Sequence, residues 1–377
     1  LKLRFDRGEW SGAFGDLGTD LPLLVGMILA AGLDASSVLT VFGLMQILTA
    51  LRYQMPMPVQ PLKAMAALVI AQKLPPGVLY GGGLAIGVMM LALSVSGLIE
   101  WLNRLVPKPV VRGIQFGLGL QLAGIALREY VQRDGVAGWW LAGAGFAVAL
   151  LLIGRRRVPS AVVLVVLGAA YALAFKLDVS SLLGQVGFYL PAFHRPTPDQ
   201  IWTGLLVLAL PQLPLSIANS VLATRQIVED LFPERRVTAR EIGLTYSAMN
   251  LVNPFLGGVP TCHGSGGIAG HYAFGGRTGG SVIIYGAMYL ALGLFFGPGF
   301  EAVIAVFPMP ILGVLLLFEA LTLVGLIRDL GASRSDFLTA VLVGLIAAAV
   351  PYGYLVGMAV GLACYHLIRR GAIRLGA

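Results

Sequence analysis

Apolar stretches of roughly twenty residues follow one another along nearly the whole chain, interrupted by short segments that hold most of its charge. Such a chain has little else to cover its surface with than apolar side chains. Of its 377 residues 57% are hydrophobic and 12% charged, with mean hydropathy +0.85, whereas a soluble domain carries about 25% charged residues. The prediction is an all-α polytopic membrane protein whose solvent is the lipid bilayer.

A helix needs about 20 apolar residues to cross the hydrocarbon core. On that rule the spans fall at about 10–31, 36–52, 57–72, 79–102, 109–127, 138–154 and 158–175. After a polar stretch at about 176–200 they resume at about 201–224, 239–256, 260–275, 281–298, 302–327, 335–350 and 352–368, which makes about 14 crossings. Basic residues collect on cytoplasmic loops. Lys2, Arg4 and Arg7, then Arg52, Arg104, Lys108, Arg112, Arg155, Arg156, Arg157, Arg235, Arg236, Arg240, Arg369, Arg370 and Arg374, fall on one side of such a count. Both termini are therefore expected in the cytoplasm of an inner-membrane protein, with Arg128, Arg133 and Arg195 as exceptions. The net charge of +8 is explained by this placement, and no nucleic-acid motif accompanies it. Asp6, Glu9, Asp16 and Asp20 interrupt any signal-peptide pattern, so the first apolar run is expected to stay as a transmembrane element.

The two halves share landmarks in the same order. Leu21-Pro22-Leu23 corresponds to Leu213-Pro214-Leu215, Met57-Pro58 to Val259-Pro260, and Pro107-Lys108-Pro109 to Pro308-Met309-Pro310, at separations of about 192 to 202 residues. Seven spans per half would invert one repeat relative to the other, the arrangement of many secondary transporters. Residues 1–175 and 201–377 are the two expected repeats.

Spans three and ten are too broken for ordinary helices. Met55-Pro56-Met57-Pro58-Val59-Gln60-Pro61 lacks three backbone donors and is expected to run extended, turning helical from about Pro61. Gly257-Gly258-Val259-Pro260-Thr261-Cys262-His263-Gly264-Ser265-Gly266-Gly267 is expected to do the same, helical from about Gly264. Irregular backbone at membrane depth belongs beside a cavity. Inverted repeats would aim the two half-helix N-termini at each other near the midplane, and with Lys63 one turn into the first they would present roughly +2, the complement of a tetrahedral dianion. Gln60, Lys63, Cys262, His263, Gly264, Ser265 and Gly266 are the candidate binding residues here, with Asn219 on span eight beside Gln212, Ser216 and Ser220. Each has a plainer alternative: Gln60 satisfying loose backbone, Lys63 snorkelling, Asn219 bonding between helices, His263 packing, Cys262 as a small apolar residue. Acidic and hydroxyl groups at membrane depth are candidates for coupling to a proton or sodium: Asp16, Thr19 and Asp20 on span one, and Glu319, which is either a proton carrier or the partner of a basic group.

Phe14-Gly15-Asp16-Leu17-Gly18-Thr19, Pro56-Met57-Pro58-Val59-Gln60-Pro61-Leu62-Lys63 and Val259 to Tyr272 resemble the molybdate transporter family, a branch of the sulfate permease superfamily. The resemblance implies the inverted-repeat architecture shared with uracil permeases. A core domain (1–105 plus 201–300) would move against a gate domain (106–175 plus 301–370), with substrate between half-helices three and ten. Only about nine residues follow the last span, so the branch expected lacks a regulatory C-terminal domain. Nucleobase relatives carry acids where Asn219 and Ser265 stand here, which suits an anion. The expected function is import of molybdate by alternating access, with sulfate transport or a passive anion channel as alternatives. A homodimer is left open. No enzyme, cofactor or metal is expected: His194, His263, His271 and His366 form no ligand cluster with Cys262 and Cys364, and Gly264-Ser265-Gly266 lacks the spacing of a nucleophile elbow.

Overall fold

The computed structural model describes residues 2–99, 101, 106–152, 160–175 and 179–373. Arg104, Arg155, Arg156, Arg157 and Arg374 lie outside the described residues. The described residues are mostly helical. Among the described residues seven helices are long and apolar enough to cross a membrane: Ala35–Tyr53, Pro76–Ser96, Lys108–Tyr130, Gly135–Leu152, Pro198–Leu231, Gly280–Val306 and Met309–Leu330. Shorter apolar helices, Leu17–Ala31, Lys63–Gln72 and Gly353–Arg369 among them, complete the bundle.

In chain order these are α1 (Arg7–Gly12), α2 (Leu17–Ala31), α3 (Ala35–Tyr53), β1 (Val59–Pro61), α4 (Lys63–Gln72), α5 (Pro76–Ser96), α6 (Lys108–Tyr130), α7 (Gly135–Leu152) and α8 (Ser160–Phe175). The second half continues with α9 (Val179–Leu183), α10 (Pro198–Leu231), α11 (Ala239–Val252), β2 (Thr261–His263), α12 (Ser265–Ala273), α13 (Gly280–Val306), α14 (Met309–Gly325), α15 (Arg334–Ala349) and α16 (Gly353–Arg369).

The expected first span is broken. Asp6 caps α1 through the amides of Gly8 and Glu9, and the helix ends at Gly12 before α2 begins at Leu17. Glu9 is fully buried and accepts from the amides of Arg277 (3.0 Å), Thr278 (2.9 Å) and Ser281 (3.0 Å). It thereby satisfies free donors at the start of α13, where a carboxylate also meets the positive helix end. Gly15 lies so close on Gly270 that a Cβ at either position would strike the other's backbone.

Span eight is longer than its apolar run. Pro211 and Pro214 remove two donors from α10, whose hydrogen bonding loosens to π geometry at Leu205–Ala209 and Ser216–Ala223. Of the polar residues placed on span eight, Asn219 approaches Ser265 of α12. Ser216 instead pairs with Tyr246 (2.8 Å) and accepts from Gln212. Spans eleven and twelve were expected to part near 298. The structure keeps α13 helical to Val306 with a kink at Phe296. Pro298 cannot donate to the Leu294 carbonyl, and the 187–194 linker uses that vacancy: Tyr189 N–H donates to Leu294 O (2.8 Å) and Gly187 N–H to Phe295 O (3.1 Å).

Two groups of helices result. In one, α3 packs along α13 and α5 along α10 and α11; in the other, α6 packs on α14 and α15, and α15 on α16. The α3–α13 contact is close because Gly286 sits on Gly43, Gly293 on Thr40 and Gly297 on Ser36, the small-residue interface typical of membrane helices. α2 and α4 pack on each other and join the first group, α2 at β1 and α4 at α10, and α14 of the second group reaches across to α2.

At the centre of the first group lies a two-stranded antiparallel ribbon, pairing Val59 with His263, Gln60 with Cys262 and Pro61 with Thr261. Each strand has one edge facing the other and one facing helices. Gln46 of α3 closes the outer edge of β1, donating to Val59 O (2.7 Å) and accepting from Val59 N–H (2.8 Å). Asn250 of α11 does the same for β2 at Thr261, at 2.6 and 2.9 Å. The two amides occupy equivalent places in the two halves. Replacing either by leucine strands a buried N–H and C=O, which costs about 2–5 kcal/mol. Gln46→Leu and Asn250→Leu should each lower the apparent melting temperature of the purified protein by several degrees; an unchanged transition would show that these amides do not support the ribbon.

Candidate substrate site at the half-helix junction

Because the ribbon is antiparallel, α4 and α12 leave it in opposite directions, each with its N-terminus at the junction. α4 begins at Lys63 and α12 at Ser265. The helices start slightly later than expected because Pro61 and His263 are still strand.

The two N-termini are not equivalent. Gln212 Oε1 accepts from Ala64 N–H (3.0 Å) and Met65 N–H (3.2 Å), so the first turn of α4 is already capped. Among the described residues the amides of Ser265, Gly266 and Gly267 have no acceptor, Gly266 is exposed, and a Cβ on it would meet nothing within 4 Å. The end of the junction with donors to spare is therefore α12.

Alternation along the ribbon sorts the neighbouring side chains. Gln60 and Cys262 form one cross-strand pair, while Val59, Pro61, Thr261 and His263 alternate to the other face. Gln60 donates to both oxygens of Asp16 (2.6 and 2.8 Å). Its side chain covers Gly264, and the Asp16 carboxylate lies where a Cβ on Gly267 would stand. Asp16 is thus beside the N-terminus of α12, and the glycines are what permit that approach. Cys262 is a buried free thiol. Ser265 Oγ reaches Asn219 Oδ1 at 3.5 Å.

His263 departs from expectation. It is completely buried, stacks edge-on against Tyr53 with centroids 5.5 Å apart, and pairs through Nε2 with Thr245 Oγ1 at 2.8 Å. Strand alternation carries its ring towards α3 and α11, so it packs the back of the ribbon and is not a donor to the open end of α12. Lys63 is also placed differently: it is the first residue of α4 rather than one turn in, and its ammonium forms an ion pair with Glu319 of α14. The other Glu319 oxygen accepts from Thr19 Oγ1 (3.1 Å). Of the two roles left open for Glu319, the geometry gives it the basic partner. Asp20 is fully buried but faces α13, accepting from Tyr285 (3.1 Å), which in turn pairs with Tyr289 (3.1 Å). Among the described residues its Oδ1 has no hydrogen-bond partner.

The expected surplus of positive charge is therefore absent. One ammonium, Lys63, stands among three carboxylates, Asp16, Asp20 and Glu319. Gln46, Asn250 and Gln212, which hold the ribbon and cap α4, were missed or given no such role. Their signal was a lone amide inside an otherwise apolar run, which needs a polar partner at that depth.

A cavity of about 200 Å³ lies between the two helix groups, lined by Gly15, Thr19 and Phe274 on one side and by Ser160, Phe318 and Glu319 on the other. It is on the side of the N-terminus, where the backbones of Gly8 and Gly275 meet. Towards the opposite side, the Tyr130 hydroxyl of α6 lies on Gly26 of α2. Beyond that contact is a second cavity of about 350 Å³ with Lys73, Glu129 and Arg133 in its lining.

The family described as "Molybdate transporter of MFS superfamily" matches residues 8–122 and 204–323. The chain belongs to this molybdate transporter family. It is 33% identical to molybdate transporter 2 of Arabidopsis thaliana over 391 residues, covering 91% of this chain and 82% of that protein. Against molybdate transporter 1 of Chlamydomonas reinhardtii it is 29% identical, covering 93% and 90%. The fold is that of the transmembrane domain of the cyanobacterial bicarbonate transporter BicA (TM-score 0.68, 19% identity, 93% of this chain and 99% of that one). It is also that of murine Slc26a9 in the inward-facing state (TM-score 0.73, 14% identity, 100% and 70%). The protein is accordingly a multi-pass membrane transporter for an anion, not an enzyme.

The placement of His263 and Lys63 separates their variants. His263→Ala removes a buried ring and should lower thermal stability while leaving anion affinity within about twofold. Lys63→Ala should weaken anion binding by at least roughly tenfold, the loss of one charge-assisted contact. Calorimetric titration of both variants checks this, and equal loss of affinity in both would return His263 to the site.

Proposed function

We propose that this member of the family imports molybdate across the cytoplasmic membrane by alternating access, coupled to entry of a cation. The observation that carries the reading is the open N-terminus of α12: three unengaged amides at Ser265, Gly266 and Gly267, free space at Gly266, and Lys63 and Ser265 nearby. Such an end supplies oriented donors and partial positive charge to an oxyanion. The likeness to molybdate transporters supports the choice of molybdate over other tetrahedral dianions.

Charge supports coupling. A dianion entering beside Asp16, Asp20 and Glu319 would meet strong repulsion in a medium of low polarity. Protons or sodium ions taken up by Asp16 and Asp20, with Thr19 as a further oxygen ligand for sodium, remove that repulsion and make anion and cation bind together. Reciprocal stabilisation of this kind is the thermodynamic content of symport.

In this reading residues 1–105 with 201–300 form the core that carries the anion, and 106–175 with 301–370 the gate. The cavity on the N-terminal side and the Tyr130–Gly26 contact on the other support a form open to the cytoplasm, given that the basic loops put the N-terminus there. On the outer side Lys73 and Arg133 would gather anions by their field.

The test is binding of molybdate and of sulfate to the purified protein at fixed pH and salt, in wild type and Gly266→Ala. The added methyl clashes with no protein atom, so the variant should fold normally, but it occupies the approach to the free amides. Molybdate affinity should fall by about tenfold or more. Wild-type affinity in Gly266→Ala would move the site away from α12, and sulfate bound as tightly as molybdate would make the protein a general dianion carrier.

A further inference from the structure

We propose that Glu319 is an internal stand-in for the substrate: in the empty carrier it occupies Lys63 and Thr19, ties the two helix groups together, and is displaced when the oxyanion binds. The proposal rests on the oxyanion reading above for the identity of the ligand.

Glu319 is the sole charged residue of α14, whose other residues are apolar apart from Thr322. A carboxylate in such a helix is costly unless it is paired. Both of its oxygens are engaged, and both partners lie in the other helix group: Lys63 at the start of α4 and Thr19 in the first turn of α2. The side chains of Lys63 and Glu319 are 13% and 10% exposed, so the pair is largely withdrawn from water. It spans the same boundary between groups that the 200 Å³ cavity follows, and Thr19 and Glu319 are part of that cavity's lining.

The chemistry of the pair is that of the substrate. A carboxylate offers anionic acceptor oxygens to an ammonium and a hydroxyl; a tetrahedral oxyanion offers the same atoms to the same donors. Leaving a buried ammonium bare is strongly unfavourable, so Lys63 is poorly placed to release Glu319 into nothing. Exchanging one anion for another is far easier, because the cation stays paired throughout. The displaced Glu319 faces a cavity in which water can solvate it. The pair thus converts anion binding into loss of a bond between the two groups, the differential contact that a ligand-driven population shift requires.

The test compares wild type, Glu319→Gln, and the charge swap Lys63→Glu with Glu319→Lys, all in the full chain. Molybdate affinity is measured by calorimetry. Movement between the groups is measured without any anion by spin labels at Gln72→Cys and Val136→Cys, at the end of α4 and the start of α7. Glu319→Gln should bind molybdate about tenfold tighter, since the competing state is removed, and its anion-free distance distribution should shift away from that of wild type. The swap should restore the wild-type distribution yet fail to bind, because the cation has moved to α14. Unchanged affinity together with an unchanged distribution in Glu319→Gln would overturn the proposal, as would a swap that leaves the distribution shifted. If wild type binds neither molybdate nor sulfate, the functional reading fails, and the anion-free distances still decide whether Glu319 ties the groups together.

Discussion

Everything near the site depends on six residues of extended backbone held at membrane depth. Hydrocarbon provides no partner for a peptide group, so β1 and β2 survive there only because each satisfies the other along one edge and a helix side chain satisfies the outer edge. Gln46 and Asn250 therefore do the work of absent neighbouring strands. The antiparallel register has a second consequence: it sends α4 and α12 in opposite directions from one point, and so brings two helix N-termini together. The meeting of the two N-termini, the proposed substrate site, is a product of how the ribbon solves its own hydrogen-bonding problem.

The pseudo-symmetry holds around the ribbon and breaks at the junction. Gln46 and Asn250 are equivalent, and so are the prolines of α2 and α10. The junction is not. Gln212 caps α4 with its amide oxygen, whereas the equivalent end of α12 carries only the small residues Ser265, Gly266 and Gly267. One end is finished internally and the other is left for an external acceptor. Asp16 stands beside that open end held by Gln60, so the positive helix terminus already has a negative neighbour. In the proposed symport the travelling cations would offset these carboxylates, which would link the charge state of α2 to occupancy of α12.

What was legible in the chain was local. Three prolines in Met55–Pro61 and the glycines from Gly257 to Gly267 mark non-helical backbone whatever surrounds it, because they remove donors or permit close approach. The half-helices follow from those residues, with their starts off by one or two positions. Pairing was not legible. Gln60 lies 202 positions from Cys262, and nothing in either segment states the register. Once the register is known, the placement of His263 is explained: in a strand, neighbours point to opposite faces, so a motif read as one continuous surface divides between two faces, and His263 falls on the one that packs against Tyr53 and Thr245. The π stretches of α10 have the same origin. Pro211 and Pro214 announce missing donors, but where the helix absorbs them depends on Tyr246 and the α4 cap.

Lys63 is the clearest case of a residue whose role depends on tertiary context. Its position at the start of a half-helix suggests a free cation waiting for an anion, and from the segment alone that inference is sound. Glu319 lies 256 positions away in a helix that otherwise looks like plain lipid-facing apolar sequence. Only their juxtaposition shows that the positive charge is already used. A carrier must hold itself together when empty and yield when loaded, and a bare ammonium between two helix groups would do neither. Filling it with a carboxylate from the opposite group meets both demands with one side chain, since the bond that stabilises the empty form is of the same kind as the one the substrate makes.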